Sequence, residues 1–182
     1  MIILIGGDTH TGKTHLSGRL VQQTGYSCLS LDHLKMGLIR GLPHCPFTAL
    51  DEDEHISKHL WPVTEGMIRT CIENGQHHIL EGCYLPPDKV AALQAEYPGR
   101  IIAVYLGFTQ AYLQTHFHEI CAHENVIEQR LCGMDADDLA RMQQANEALQ
   151  QTCAAYGLPF FAVDQNYLQE RRAVLQYILQ NI

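Results

Sequence analysis

Near the start of the chain, Gly7-Asp8-Thr9-His10-Thr11-Gly12-Lys13-Thr14 sets two glycines, a lysine and a hydroxyl in the spacing G-x-x-x-x-G-K-[ST]. Gly7 and Gly12 permit a tight wrap, so that successive backbone N–H groups from Asp8, Thr9, His10 and Thr11 onward converge on phosphate oxygens. A helix opening near Gly12 adds its positive N-terminal end. Lys13 supplies a point charge for β- and γ-phosphates, and Thr14 offers a hydroxyl to Mg²⁺. The chemistry implied is the binding of a magnesium nucleotide. His10 occupies a variable position of the pattern and is assigned no chemistry of its own.

Two carboxylates fall at comparable places. Asp32 follows the apolar stretch Ser27–Leu31, and Glu81 ends His78-Ile79-Leu80-Glu81 just before Gly82. Phosphoryl transfer to an alcohol releases a proton, which a positioned carboxylate can take. Transfer to a phosphate oxygen needs no such base. Asp32 therefore favours a hydroxyl acceptor; the other role open to it is the N-cap of a short helix reaching Arg40. Lys35 and Arg40 place two cations beside it, suited to an anionic substrate, or else to a solvated helix face. Glu81 can hold Mg²⁺ through a water or bind the acceptor, and Gly82 would let substrate approach the backbone.

The elements that must position these residues alternate along the chain. Ile2–Ile5 reads as a short buried strand, followed by a helix from Gly12 to about Gln23. Ser27–Leu31 is a second strand. Residues 41–54 are irregular, and Pro62 is expected to open or kink a helix reaching Ile72, with Val63, Met67, Ile68, Cys71 and Ile72 on its apolar stripe. His78–Glu81, Ile101–Leu106 and Pro159–Val163 complete five strands. Helices are expected after Pro86-Pro87, after the fourth strand through Glu119, over Leu139–Tyr156 behind an Asp135/Asp138 capping pair, and over about Tyr167–Leu179. Short buried strands separated by helices imply an α/β fold, a five-stranded parallel sheet with helices on both faces. In such sheets ligands collect at the carboxyl ends of the strands, where Gly7, Asp32 and Glu81 all fall.

Composition narrows the partners. The 182 residues carry 12 Lys and Arg against 20 Asp and Glu, a formal net charge of −8. An acidic chain without a basic block is a poor match for nucleic acid or an anionic membrane. No apolar segment is long enough to span a membrane, and no leader pattern precedes the first strand. Seven cysteines without C-x-x-C spacing suit reduced thiols and a cytoplasmic protein. His116, His118, Cys121 and His123 form a histidine–cysteine cluster, but helical spacing turns His118 away from the face of His116 and His123.

Taken with Ser30-Leu31-Asp32-His33-Leu34-Lys35-Met36-Gly37, Leu80-Glu81-Gly82-Cys83-Tyr84 and Asn125-Val126-Ile127-Glu128-Gln129-Arg130, the phosphate loop resembles that of the small P-loop kinases. That group includes nucleoside monophosphate kinases, shikimate and gluconate kinases, chloramphenicol phosphotransferase and zeta toxins. The combination most resembles bacterial 2-phosphoglycerate kinase-like proteins. The resemblance implies a single P-loop kinase-like domain over residues 1–182, an acceptor-binding insert at about 41–61 and a lid at about 123–141. It implies that Asp32 is base or acceptor anchor, and that Arg130, and secondarily Arg141, reach the phosphates from the lid. A GTPase would need D-x-x-G after a strand and N-K-x-D, and neither occurs.

The expectation is an enzyme that uses ATP and Mg²⁺ to phosphorylate a hydroxyl of a small, anionic metabolite, as monomer or homodimer. Lys13, Asp32 and Arg130 would be catalytic, and Lys35, Arg40, Glu81 and Gly82 would serve the acceptor. A nucleoside or nucleotide kinase, or a zeta-toxin-like nucleotide-binding regulator with slow hydrolysis, are the alternatives.

Overall fold

Strand β1 (Ile2–Gly7) is buried along its whole length, and its side chains divide by parity between two cores. Ile2 and Leu4 face one side, Ile3 and Ile5 the other, as the two-residue period of a strand requires. Each such residue withdrawn from water contributes about 1.5–3 kcal/mol. The computed structural model describes residues 1–122 and 136–182. Within them β1 is followed by α1 (Lys13–Thr24), β2 (Ser27–Ser30), α2 (Leu31–Gly41), α3 (Asp53–Glu73) and β3 (His78–Glu81). Then come α4 (Pro87–Glu96), β4 (Ile101–Phe108), α5 (Gln110–Ala122), α6 (Ala136–Ala155), β5 (Phe160–Val163) and α7 (Tyr167–Gln180).

The sheet is parallel throughout, in the order β2-β3-β1-β4-β5. Leu16 and Leu20 of α1 and Val174, Leu175 and Ile178 of α7 cover the face of Ile3 and Ile5. Helices α2, α3, α4 and α6 contribute Leu31, Ile56, Leu60, Val90, Leu93 and Cys153 to the opposite face. A third cluster, with Phe108, Leu113, Phe117, Met142 and Val163, packs α5 and α6 beyond the end of β4. β1 is central: its own crossover runs to β2 on one side, and the β3-to-β4 crossover passes it to the other side, which makes its carboxyl end the switch point of the sheet.

Three local expectations are corrected. Helix α2 starts two residues early (33 − 31 = 2), with Ser30 at the N-cap, so Asp32 lies in the first turn and is not the cap. Helix α3 starts at Asp53, nine residues before Pro62 (62 − 53 = 9), and carries that proline inside. The buried stripe Ile56, Leu60, Trp61, Thr64, Ile68 and Ile72 runs straight through the proline, which is itself exposed, while Val63 is 40% exposed. Packing along that stripe overrides the propensity cost of one missing N–H. Finally, Cys121 is disulfide-bonded, whereas Cys28, Cys45, Cys71, Cys83 and Cys153 are free.

Candidate nucleotide and acceptor site

The loop from Gly7 to Thr14 leaves β1 at the switch point and enters α1. Gly7 (φ 140°) and Gly12 (φ 84°) both have left-handed backbones. A Cβ at Gly7 would strike the Leu106 carbonyl, and one at Gly12 the Tyr167 hydroxyl. Glycine is thus required twice over, by conformation and by space. The Asp8 carbonyl accepts hydrogen bonds from Lys13 Nζ (2.7 Å) and Thr11 Oγ1 (2.8 Å), and the Asp8 carboxylate accepts the Thr9 N–H (2.7 Å). Lys13, 7% exposed, is folded back on its own loop. Burial pushes the Asp8 carboxyl up, opposed by the Thr9 N–H and Lys13.

Glu81 closes β3, in register with Ile5 of β1 and Ser30 of β2. It is 2% exposed, and burial raises its carboxyl, with the Asp32 charge adding to the rise and Lys13 opposing it. The Thr14 hydroxyl donates to Glu81 Oε1 at 3.3 Å. Beside them the buried Ser30 hydroxyl acts on the Glu81 carboxyl as well, opposing its rise. A hydroxyl and a carboxylate side by side, a second buried hydroxyl beside that carboxylate and an ammonium on the loop form a donor set that fits a magnesium nucleotide.

Asp32 comes to the same place because Gly82 allows it. A Cβ at Gly82 would lie 2.8 Å from Leu31 Cβ, so the bare glycine lets the end of β3 pack against the start of α2. Gly82 is buried by that contact, and its smallness serves packing. Lys35, one turn beyond Asp32, is fully buried: its ammonium lies 3.6 Å from Asp32 Oδ1 and donates to the Tyr84 hydroxyl at 3.0 Å. The solvated-surface reading of this lysine is therefore wrong. Cys83 reports the convergence. Its thiol is pushed up to about 11, first by burial, with Asp8, Asp32 and Asp53 adding to the rise and Lys13 opposing it.

Other expected residues lie apart. Arg40 is exposed in the last turn of α2, roughly 12 Å along the helix axis from Asp32 at 1.5 Å per residue. Arg141 is exposed on α6 and paired with Asp138 on the same helix. Arg130 and most of the expected lid fall within residues 123–135, outside the described residues. The sequence reading missed Tyr84 and Asp53. Tyr84 stood inside a segment quoted for its resemblance, and Asp53 inside an acidic run read as irregular.

On the β4–β5 side, Arg171 is 5% exposed and donates to the Gly107 carbonyl (3.0 Å) and the Phe161 carbonyl (3.1 Å). Its guanidinium also lies 5.5 Å from the Tyr167 ring centre, which fixes the tyrosine that abuts Gly12.

No protein-family model matches the chain, and neither does any curated relative. Solved structures do resemble it. A shikimate kinase from Acinetobacter baumannii, in complex with shikimate, is 16% identical with a TM-score of 0.61, covering 99% of this chain and 93% of that one. A gluconokinase from Sinorhizobium meliloti 1021 is 17% identical with a TM-score of 0.55, covering 98% and 93%. A deoxyadenosine kinase from M. mycoides with bound dATP is 14% identical with a TM-score of 0.53, covering 98% and 99%. The chain has the α/β P-loop kinase fold that these proteins share.

Proposed function

We propose that the protein is an ATP-dependent phosphotransferase that moves the γ-phosphoryl group to a hydroxyl of a small metabolite. The observation that carries this reading is the convergence of Lys13, Thr14, Glu81 and Asp32 at the carboxyl ends of β1, β2 and β3. The fold neighbours, which include by name a shikimate kinase, a gluconokinase and a deoxyadenosine kinase, support it.

Phosphoryl transfer asks mostly for positioning and charge neutralisation. The loop from Gly7 to Thr14 would hold the triphosphate, with Lys13 turned from the Asp8 carbonyl to the β- and γ-phosphates. Bound Mg²⁺, held by Thr14 and Glu81, would neutralise charge on the same phosphates. Asp32 faces the acceptor. As the bond to the γ-phosphorus forms from the acceptor oxygen, the hydroxyl proton passes to the Asp32 carboxylate. The bridging β–γ P–O bond breaks, and its electron pair leaves on ADP.

Residues 41–61 would border the acceptor, and 123–141 would close over the nucleotide with Arg130 at the phosphates. The case for an anionic acceptor narrows. Lys35 is already engaged by Asp32 and Tyr84, which leaves Arg40 as the exposed cation of α2. The resemblance to 2-phosphoglycerate kinase-like proteins rests on the sequence segments and places phosphoglycerates in the acceptor panel. The test is ADP release from Mg-ATP with phosphoglycerates, shikimate, gluconate, nucleosides and nucleoside monophosphates. Stimulation by a hydroxyl compound is expected. Stimulation confined to nucleoside monophosphates would replace this reading with a nucleotide kinase, and ATP binding with no stimulation would favour a regulator.

A further inference from the structure

Lys35 is the most deeply buried cation at the site, and nothing in the phosphate chemistry uses it. An ammonium withdrawn from water is costly unless it is paired and hydrogen-bonded. Among the described residues, two neighbours from different elements help to meet that cost. Asp32, three residues earlier, shares its helix face, with Oδ1 at 3.6 Å. Tyr84, just beyond β3, accepts a hydrogen bond at 3.0 Å, and its ring centre lies 5.2 Å from the ammonium. Tyr84 is itself 1% exposed, so the anchor is rigid. Asp32 differs from both, because a quarter of its side chain is open to solvent (25%). Among the described residues, Glu81 and Cys83 of the neighbouring strand end both feel the Asp32 charge, Lys13 acts on both as well, and Asp8 and Asp53 also act on Cys83.

A cation that is wholly enclosed, anchored from behind by a buried tyrosine and facing a carboxylate one quarter open to solvent is poorly placed to touch substrate. It is well placed to hold the carboxylate. We infer that Lys35 is a positioning residue that acts through Asp32: the Tyr84–Lys35 pair fixes one carboxylate oxygen and presents the other to the acceptor. The inference rests on the reading of Asp32 as the group facing the acceptor. It replaces the expectation that Lys35 binds an anionic acceptor.

Two measurements separate the inference from that reading. The first needs no acceptor. In the full chain, NMR couplings across the Asp32 Cα–Cβ bond should report a single rotamer, and Lys35→Met should average it while the amide spectrum stays folded. An unchanged single rotamer in Lys35→Met overturns the inference. If that variant does not fold, Tyr84→Phe is measured in its place; averaging is expected there too, and a single rotamer overturns the inference.

The second is a double-mutant cycle on kcat, read as ADP release with shikimate, gluconate or 2-phosphoglycerate as probe acceptors and with water alone. Lys35→Met should lower kcat by about tenfold or more, with KM for ATP unchanged. In an Asp32→Asn background it should add less than about twofold, because the two residues act as a unit. Losses that multiply would overturn the inference and leave Asp32 as the base. An Asp32→Asn variant with full kcat would instead remove the base reading, and the inference with it.

Discussion

The Thr14 hydroxyl lies 3.3 Å from Glu81 Oε1, which ties the first turn of α1 to the end of β3 across the mouth of the phosphate loop. The contact joins a residue from the loop pattern to one found only by its place at a strand end. It predicts shared duty toward Mg²⁺. Thr14→Ala should therefore bind ATP with nearly the same affinity with and without Mg²⁺, whereas the intact protein should prefer the magnesium complex. Titration calorimetry under both conditions checks this, and a full magnesium preference in the variant would refute it.

Burial raises the Glu81 carboxyl, and the sign of its effect on stability follows. A carboxyl whose folded pKa lies above its unfolded value opposes folding once it ionises. That penalty is absent below the unfolded value of 4.5 and complete above the raised folded value. Glu81→Gln should accordingly melt higher than the parent at neutral pH, and the gap should shrink as pH falls toward 4.5. Thermal melts of both proteins across that range provide the check. A gap that widens on acidification would contradict the burial argument.

Lys13 bonds to its own loop carbonyl, so its loss should leave the sheet intact. Lys13→Ala is expected to keep its fold by circular dichroism while phosphoryl transfer drops by about two orders of magnitude or more. Unchanged turnover would remove the loop from the chemistry.

Arg171 donates to carbonyls of both β4 and β5 from a buried position. Arg171→Met would strand both acceptors and cost about 3 kcal/mol of stability. Urea unfolding should show a lower midpoint at an unchanged slope. A loss within about 0.5 kcal/mol would show that the two bonds carry little net weight.

Much of the frame was legible in the sequence because its signals are local. Five apolar runs bounded by Gly, Pro and Asn mark strands, and the observed β3 matches the expected His78–Glu81 residue for residue. The phosphate loop is one contiguous stretch, so its glycines and lysine could be read directly. Reading failed where tertiary packing decides. Pro62 looks like a boundary until Ile56, Leu60 and Trp61 are seen buried before it. Asp32 looks like a cap until Leu31 packs on Gly82 and α2 begins two residues sooner. Lys35 looks like a surface cation because nothing local announces Tyr84, forty-nine positions away (84 − 35 = 49).

The central claim is transfer of a phosphoryl group from ATP to a carbon-bound hydroxyl, with Asp32 taking the proton. Proton-coupled ³¹P NMR of the reaction with Mg-ATP and a stimulating acceptor reads it most directly. The account predicts an ADP signal with a new phosphomonoester resonance split by neighbouring C–H protons. In Asp32→Asn that resonance should grow about two to four orders of magnitude more slowly, with ATP affinity kept. A new nucleoside diphosphate signal from a monophosphate acceptor, or inorganic phosphate alone, or an undiminished ester signal in Asp32→Asn, would contradict it.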